Sequence, residues 1–388
     1  MHAKKLVPQI RFKGFEEEWR YKILNELANK FDNLRIPVSE KLRKAGDIPY
    51  YGANGIQDYV SGYTHDGEFV LVAEDGANDL NNYPSKYVNG KFWANNHVHV
   101  IQGKENILDN KFLSFAIKNF NFKPLLTGGD RSKLNASALD IIQIKNPSIK
   151  EQEKIGLLFS SLDSLITSQE LKPQKLQAIK QSLLDKMFAS NNEKVPKIRF
   201  KGFREDWKEN KIGYFLCIPV QEKANVTNAS QLLTLGLNLS GLKSGSPKSK
   251  LNFGATNYFL RKDGQFIYGK QNFFNGSMAI ITAEFHDKAT SKDVPSFNIK
   301  NIDNWFFYYF LARPNYYEKT ESLSIGTGSK RIHEDVLFDL FIMHPLENDE
   351  QVKIAKLIKS INSLIMHVEL KLEKLNNIKQ GLLEKMFC

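Results

Sequence analysis

Two short stretches carry guanidinium and ammonium groups on a glycine-bearing backbone. Arg131 and Lys133 follow Gly128 and Gly129 in GGDRSK, and Lys330 and Arg331 follow Gly326 and Gly328 in GTGSKR. Arginine presents a planar fork that fits a guanine edge or a phosphate, whereas lysine acts as a point charge. A third stretch, YYGANG, sets Tyr51, Asn54 and Gly55 on an expected turn, and asparagine is suited to an adenine edge. ANNHVH places Asn95, Asn96 and His97 at an expected strand start. Between 243 and 270, Lys243, Lys248, Lys250, Arg261, Lys262 and Lys270 face a single acid, Asp263. The formal charge of +11 over 388 residues agrees with these stretches and favours a polyanionic partner. Each also has a structural reading: Asn-Gly is a common turn, His97 and His99 suit strand packing, and lysines are usually solvated.

Covalent chemistry is less well represented. The chain has no G-x-x-x-x-G-K-[ST] phosphate loop, no G-x-G-x-x-G after a strand and no N/D-P-P-Y/F tetrapeptide, which NPSI at 146–149 only grazes. Cys217 and Cys388 are far apart and lack metal-ligand spacing, which excludes a disulfide framework and fits a reducing cytoplasm. The most apolar run, WFFYYFL at 305–311, is too short to span a bilayer and suits a buried element, so no membrane partner is expected.

The elements that must position these groups are announced by two internal repeats. VPQIRFKGFEEEWR at 7–20 recurs as VPKIRFKGFREDWK at 195–208, with ten of fourteen positions identical. A longer block at 151–188 recurs at 350–387 with 22 of 38 positions identical. Ile155, Leu158, Leu162, Leu165, Leu176, Ile179 and Leu183 recur at spacings of three and four. The second copy gives Ile354, Leu357, Ile361, Leu364, Val368, Leu375, Ile378 and Leu382. Such a seam predicts a two-helix coiled coil of about five heptads, with rods of roughly 57 Å. Gln169, Lys172 and Lys371 make its middle polar, and Pro173 is expected to kink or break the first rod. Between the repeats, 21–149 and 209–348 read as mixed α/β without mutual likeness. Strands are expected at 68–74, 97–103 and 277–285, and helices at 110–120 and 305–319.

Two dissimilar segments, each framed by a repeated leader and a repeated long helix, resemble the specificity subunit of a type I restriction–modification enzyme. The marks are GGDRSKLNASALDIIQIKNPSIKEQEKI at 128–155, its echo GTGSKRIHEDVLFDLFIMHPLENDEQVKI at 326–354, and IPYYGANGIQDYV with KFWANNHVHV. The resemblance covers essentially the whole chain. It implies an α/β (α+β) fold with an internal pseudo-two-fold repeat, in which two target-recognition domains are separated by two long helices forming an antiparallel coiled coil. The expected divisions are 1–149 for the leader and first recognition domain, 150–190 for the first spacer helix, 191–348 for the repeated leader and second recognition domain, and 349–388 for the second spacer helix.

The same resemblance implies a non-catalytic, cytoplasmic subunit that binds double-stranded DNA at a bipartite target, one domain per half-site. It would dock two methyltransferase subunits and, in the full complex, endonuclease/translocase subunits. No cofactor of its own is implied; S-adenosylmethionine, ATP and magnesium belong to the partners. The DNA contacts would come from Tyr51, Asn54, Gly55, Asn95, Asn96, His97, Arg131, Lys133, Lys243, Lys248, Lys250, Lys270, Lys330 and Arg331. In the leaders, Phe12, Phe15 and Trp19, with Phe200, Phe203 and Trp207, either anchor a partner or brace their own domain. The alternative function is a basic coiled-coil adaptor that binds proteins, or nucleic acid without sequence preference.

Overall fold

The computed structural model describes residues 6–80, 82–128, 132–190, 193–246, 256–326 and 329–387. Both repeated blocks are single helices, Ile149–Met187 and Asn348–Met386. Contacts divide the chain into two units, Met1–Leu171 with Glu369–Cys388, and Lys172–Val368.

The helices carry a strict four-three heptad seam, but one step away from the expected one at several positions. Ile155, Phe159, Leu162, Ile166, Gln169, Pro173, Leu176, Lys180, Leu183 and Met187 form the less exposed stripe of the first helix. Leu165 and Ile179 are 40% and 51% exposed, and Leu364 and Ile378 are 48% and 52% exposed. Lys172 and Lys371 likewise face solvent, so the seam's polar members are Gln169, Lys180 and Lys379. Neighbouring leucines at both i+3 and i+4 make either path look apolar, and only packing chooses between them. The first helix also continues through Pro173 instead of breaking there. A proline removes its own donor, at a cost of about 3 kcal/mol, which a 39-residue helix anchored by side-chain packing can absorb.

In the first unit, strand Arg20–Ile23 pairs antiparallel with Gln143–Asn146. A six-stranded sheet follows in the order Ala28–Lys30, Val98–Gly103, His65–Ala73, Ser85–Ala94, Ala45–Gly52, Gly55–Val60. Alternation along its strands fills two cores. Phe69 and Leu71 join Tyr51, Phe92 and Val100 on one face. Val70 and Val72 join Trp19, helix Asn110–Lys118 and the long-helix residues Ile155 and Phe159 on the other. The end of the second long helix completes this core. Phe387 lies 5.4 Å from Phe112, 5.8 Å from Phe159 and 6.5 Å from Trp19, centroid to centroid. Asp163 pairs with Lys379 at 2.5 Å, so within this unit the two helix segments run antiparallel.

The second unit repeats this plan with different sheets. Strand Lys208–Lys211 pairs with Phe341–His344. A four-stranded sheet is built from Leu216–Cys217, Ser296–Ile299, Phe266–Tyr268 and Met278–Ile280, and a three-stranded one from Lys223–Ala224, Tyr258–Leu260 and Ala289–Ser291. The expected strand at 277–285 is therefore short, and Ala283–Phe285 turns as a 3-10 helix. The 305–319 stretch forms helix Asn304–Leu311, then Pro314–Tyr317 and a 3-10 turn. Met187 and Phe188 share this core with Ile354 and Ile358, as Met386 and Phe387 share the first with Ile155 and Phe159.

The leaders act as braces through their tryptophans. Trp19 and Trp207 are 1% and 2% exposed. Beside them, Arg11 grips the buried Glu151 carboxylate through Nε and Nη2 at 2.7 and 2.8 Å, and Nη2 also donates to the Glu17 carbonyl. Arg199 repeats all three bonds with Glu350 and the Glu205 carbonyl. Phe15 and Phe203 stay partly exposed, with Lys154 and Lys353 over their rings.

Candidate nucleic-acid interface

In the first unit, most of the residues singled out from sequence converge at one end of the six-stranded sheet. Tyr51 lies next to the end of its strand, which leads through Gly52 into the hairpin turn holding Asn54 and Gly55, whose φ is +114°. Asn95–His97 links Ser85–Ala94 to Val98–Gly103 and thus precedes the strand on which it was expected. These side chains hold the connections together. Asn54 donates to the Gly76 carbonyl at 2.9 Å and accepts from the Asn78 amide at 3.0 Å. Asn95 is buried, accepts from the His97 amide and donates to Gln57. His97 Nδ1 lies 2.5 Å from an Asp75 oxygen. Asn54 and Asn96 are the exposed members able to meet a base edge.

Below this rim lies a polar network that sequence reasoning missed. Arg35 donates to Glu74 at 2.6 Å and to the Val98 carbonyl at 2.7 Å. His99, 1% exposed, bonds Asp32 at 2.7 Å and the Leu134 carbonyl at 2.8 Å. Burial works to raise the Asp32 and Glu74 carboxyls, but hydrogen bonds and charge from His99, Arg35 and Lys133 outweigh it and leave both lowered. Lys133 reaches Glu74 at 3.2 Å. A cleft of about 230 Å³ opens beside Tyr51, Asn54, Gly55 and Lys86, with the Lys86 ammonium 5.6 Å from the Tyr51 ring centre.

The described ends of the two glycine-and-basic stretches close in the same way. Thr127 and Lys133 exchange backbone hydrogen bonds of 2.9 and 2.7 Å, and Ile325 and Arg331 do the same at 2.9 and 3.0 Å. Each loop docks on the end of a strand: the Leu134 amide donates to the Glu74 carbonyl, and the Ile332 amide to the Lys270 carbonyl. Gly326 has φ +125°, and an added Cβ would meet the Ser329 carbonyl oxygen at 2.5 Å. Gly326→Ala is therefore expected to open this closure, at about 1–3 kcal/mol of strain. The Ile325 and Arg331 amides should lose hydrogen-exchange protection by about tenfold; unchanged protection would show that glycine is dispensable there.

Among the described residues, the cations singled out in the second unit do not form one basic face. Lys270 pairs with Glu334 at 2.7 Å, Lys330 with Glu321 at 2.7 Å, and Arg331 with Asp293 at 3.5 Å. Lys262 pairs with Glu222 and Asp287, and Arg261 is 1% exposed, bonded to Thr290 and Ser296. Lys243 is exposed on the small hairpin Leu233–Leu235 with Leu242–Ser244. Within 243–270, Lys262 and Lys270 are neutralised by acids brought in from 222, 287 and 334, which a linear count of cations does not see. Arg131, Lys248 and Lys250 lie outside the described residues, as do Gly129 and Gly328.

One shared feature of the supposedly unrelated middles had a sequence signal. Asp109-Asn-Lys-Phe112 and Asp303-Asn-Trp-Phe306 match as D-N-x-F. Both aspartates cap their helices, and both Asp amides donate to the buried glutamine of the long helix, Gln152 at 2.9 Å and Gln351 at 2.7 Å. Phe112 and Phe306 then stack edge-on against Trp19 and Trp207.

Each unit is thus an α/β module packed on segments of the repeated helices, with the same bridge near a strand end. Residues 16–181 match the family model described as Type I restriction modification DNA specificity domain. A Haemophilus influenzae protein assigned as a type I restriction enzyme specificity subunit is 52% identical over 152 residues, 39% of this chain and 39% of that protein. The EcoprrI specificity subunit of Escherichia coli is 28% identical over 163 residues, 41% of this chain and 39% of that one. The matched region thus spans about two fifths of the length of these curated relatives. The S subunit of the type I restriction-modification system of M. genitalium shares the fold, with a TM-score of 0.69 at 13% identity over 98% of this chain and 99% of that chain. Among the described residues no helix is long and apolar enough to cross a membrane.

Proposed function

We propose that the chain is the non-catalytic DNA-specificity subunit of a type I restriction–modification complex. Each unit reads one half of a bipartite duplex target, and the repeated leaders and helix ends dock methyltransferase subunits. The observation that carries this reading is the loop at 127–133 and 325–331, closed by the same bridge and docked the same way in two units whose sheets differ. A common frame with divergent surroundings is what two readers of different half-sites need. Asn54, Asn96 and Gly55 present polar edges to the bases. Lys133, Lys270, Lys330 and Arg331 exchange their carboxylate partners for phosphates when DNA arrives, so binding weakens steeply with salt. S-adenosylmethionine, ATP and magnesium act on the partner subunits. In the two leaders, the partly exposed Phe15 and Phe203 serve as aromatic anchors for docking.

Replacing 21–149 by the corresponding segment of another specificity subunit is expected to change one half of the methylated sequence and leave the other half intact. Mapping methylated adenines genome-wide in cells carrying either version measures this. Changes in both halves, or no gene-dependent methylation, would overturn the reading. A basic adaptor would instead bind random duplex as tightly as any methylated site with its partners present.

A further inference from the structure

The second unit holds a buried cation that DNA reading does not use. Arg313 is 4% exposed, follows helix Asn304–Leu311 and donates through Nε to the Phe310 carbonyl at 2.9 Å. Its guanidinium lies 4.0 Å from the Phe310 ring centre and 5.2 Å from that of Phe188. Among the described residues, neither terminal nitrogen has a hydrogen-bond partner, and no carboxylate is within ion-pair distance. Asp185 acts on it only from farther away, and burial pushes its pKa down to about 10. A guanidinium so deeply buried without a counter-ion is costly unless an anion completes it.

Space for that anion is present. Arg313 lines a cavity of about 570 Å³ with Lys319, Asn315, Thr320 and Ser190, within the range of roughly 300–1,000 Å³ usual for small-molecule sites. Asp339 also lines it, but its carboxylate is taken by Lys211 at 2.6 Å. The wall is therefore cationic. Tyr316 and Phe341 add ring surface, fixed by a hydrogen bond from the Tyr316 hydroxyl to the Phe341 carbonyl at 2.7 Å.

We propose that this cavity is an oxyanion site, in which Arg313 Nη1 and Nη2 hold a phosphate- or carboxylate-bearing small molecule in a paired contact and Lys319 adds charge at the mouth. The site belongs to the second unit and is independent of whether that unit reads DNA. Calorimetric titration of the full chain with inorganic phosphate, acetate and adenosine monophosphate tests it. Saturable binding of phosphate or the nucleotide assigns a phosphate ligand, binding of acetate alone a carboxylate, and binding of none overturns the proposal. Arg313→Met, which keeps the apolar stem, should weaken binding by about tenfold or more, and the exposed Lys319→Ala by about threefold. The exposed Lys300→Ala should leave it unchanged. Should Arg313→Met fail to fold, Lys319→Ala and Lys300→Ala still decide. Loss in Lys300→Ala but not in Lys319→Ala would move the anion elsewhere and overturn the assignment.

Discussion

Replacing Arg11 by methionine is expected to destabilise the first unit by about 3–5 kcal/mol, because it strands the Glu151 carboxylate in the core. Glu151 is 0% exposed, and its other side-chain donor, Trp19 Nε1, is a long 3.3 Å away. The aliphatic stem survives the change, so the lost term is the paired charge. Urea unfolding should show a lower midpoint, and Arg11→Met with Glu151→Gln should recover much of it, since a neutral amide tolerates that site far better. A shift below about 1 kcal/mol for Arg11→Met would mean that the clasp is a surface-grade ion pair. The matching Arg199→Met tests the same clasp on Glu350, which is also 0% exposed.

Phe387→Ala is expected to cost about 3–5 kcal/mol. Its ring is 9% exposed and touches Trp19, Phe112 and Phe159, so truncation leaves a cavity among three aromatic rings. The loss should fall on the first unit. Hydrogen exchange read at helix Asn110–Lys118, which carries Phe112, would rise, while helix Asn304–Leu311 of the second unit would keep its protection. Uniform deprotection, or none, would contradict the placement of the chain's end in the first core.

Within the site, legibility followed chemistry that is local in sequence. Asn54-Gly55 formed the expected hairpin turn, and the described ends of the glycine-and-basic stretches are bridged alike. The Arg35–Glu74 and His99–Asp32 contacts join residues 39 and 67 positions apart, and no local pattern marks them. Asn95 looked like a base reader but is buried as a loop brace. D-N-x-F at 109 and 303 was written in the chain, but four residues are too short a match to stand out without knowing that both asparates meet a glutamine of the repeated helix.

The sequence by itself determined the duplication, the two long helices, the mixed α/β character of the segments between them and the likeness to specificity subunits. Those follow from periodicity and repetition, which are one-dimensional properties. Tertiary structure decided which heptad path is buried, that the leader tryptophans turn inward, that Lys262 and Lys270 find acids from distant segments, and that the second helix ends inside the first unit's core. Each of those depends on which distant groups share a dielectric and a packing shell, and sequence spacing carries no information about that.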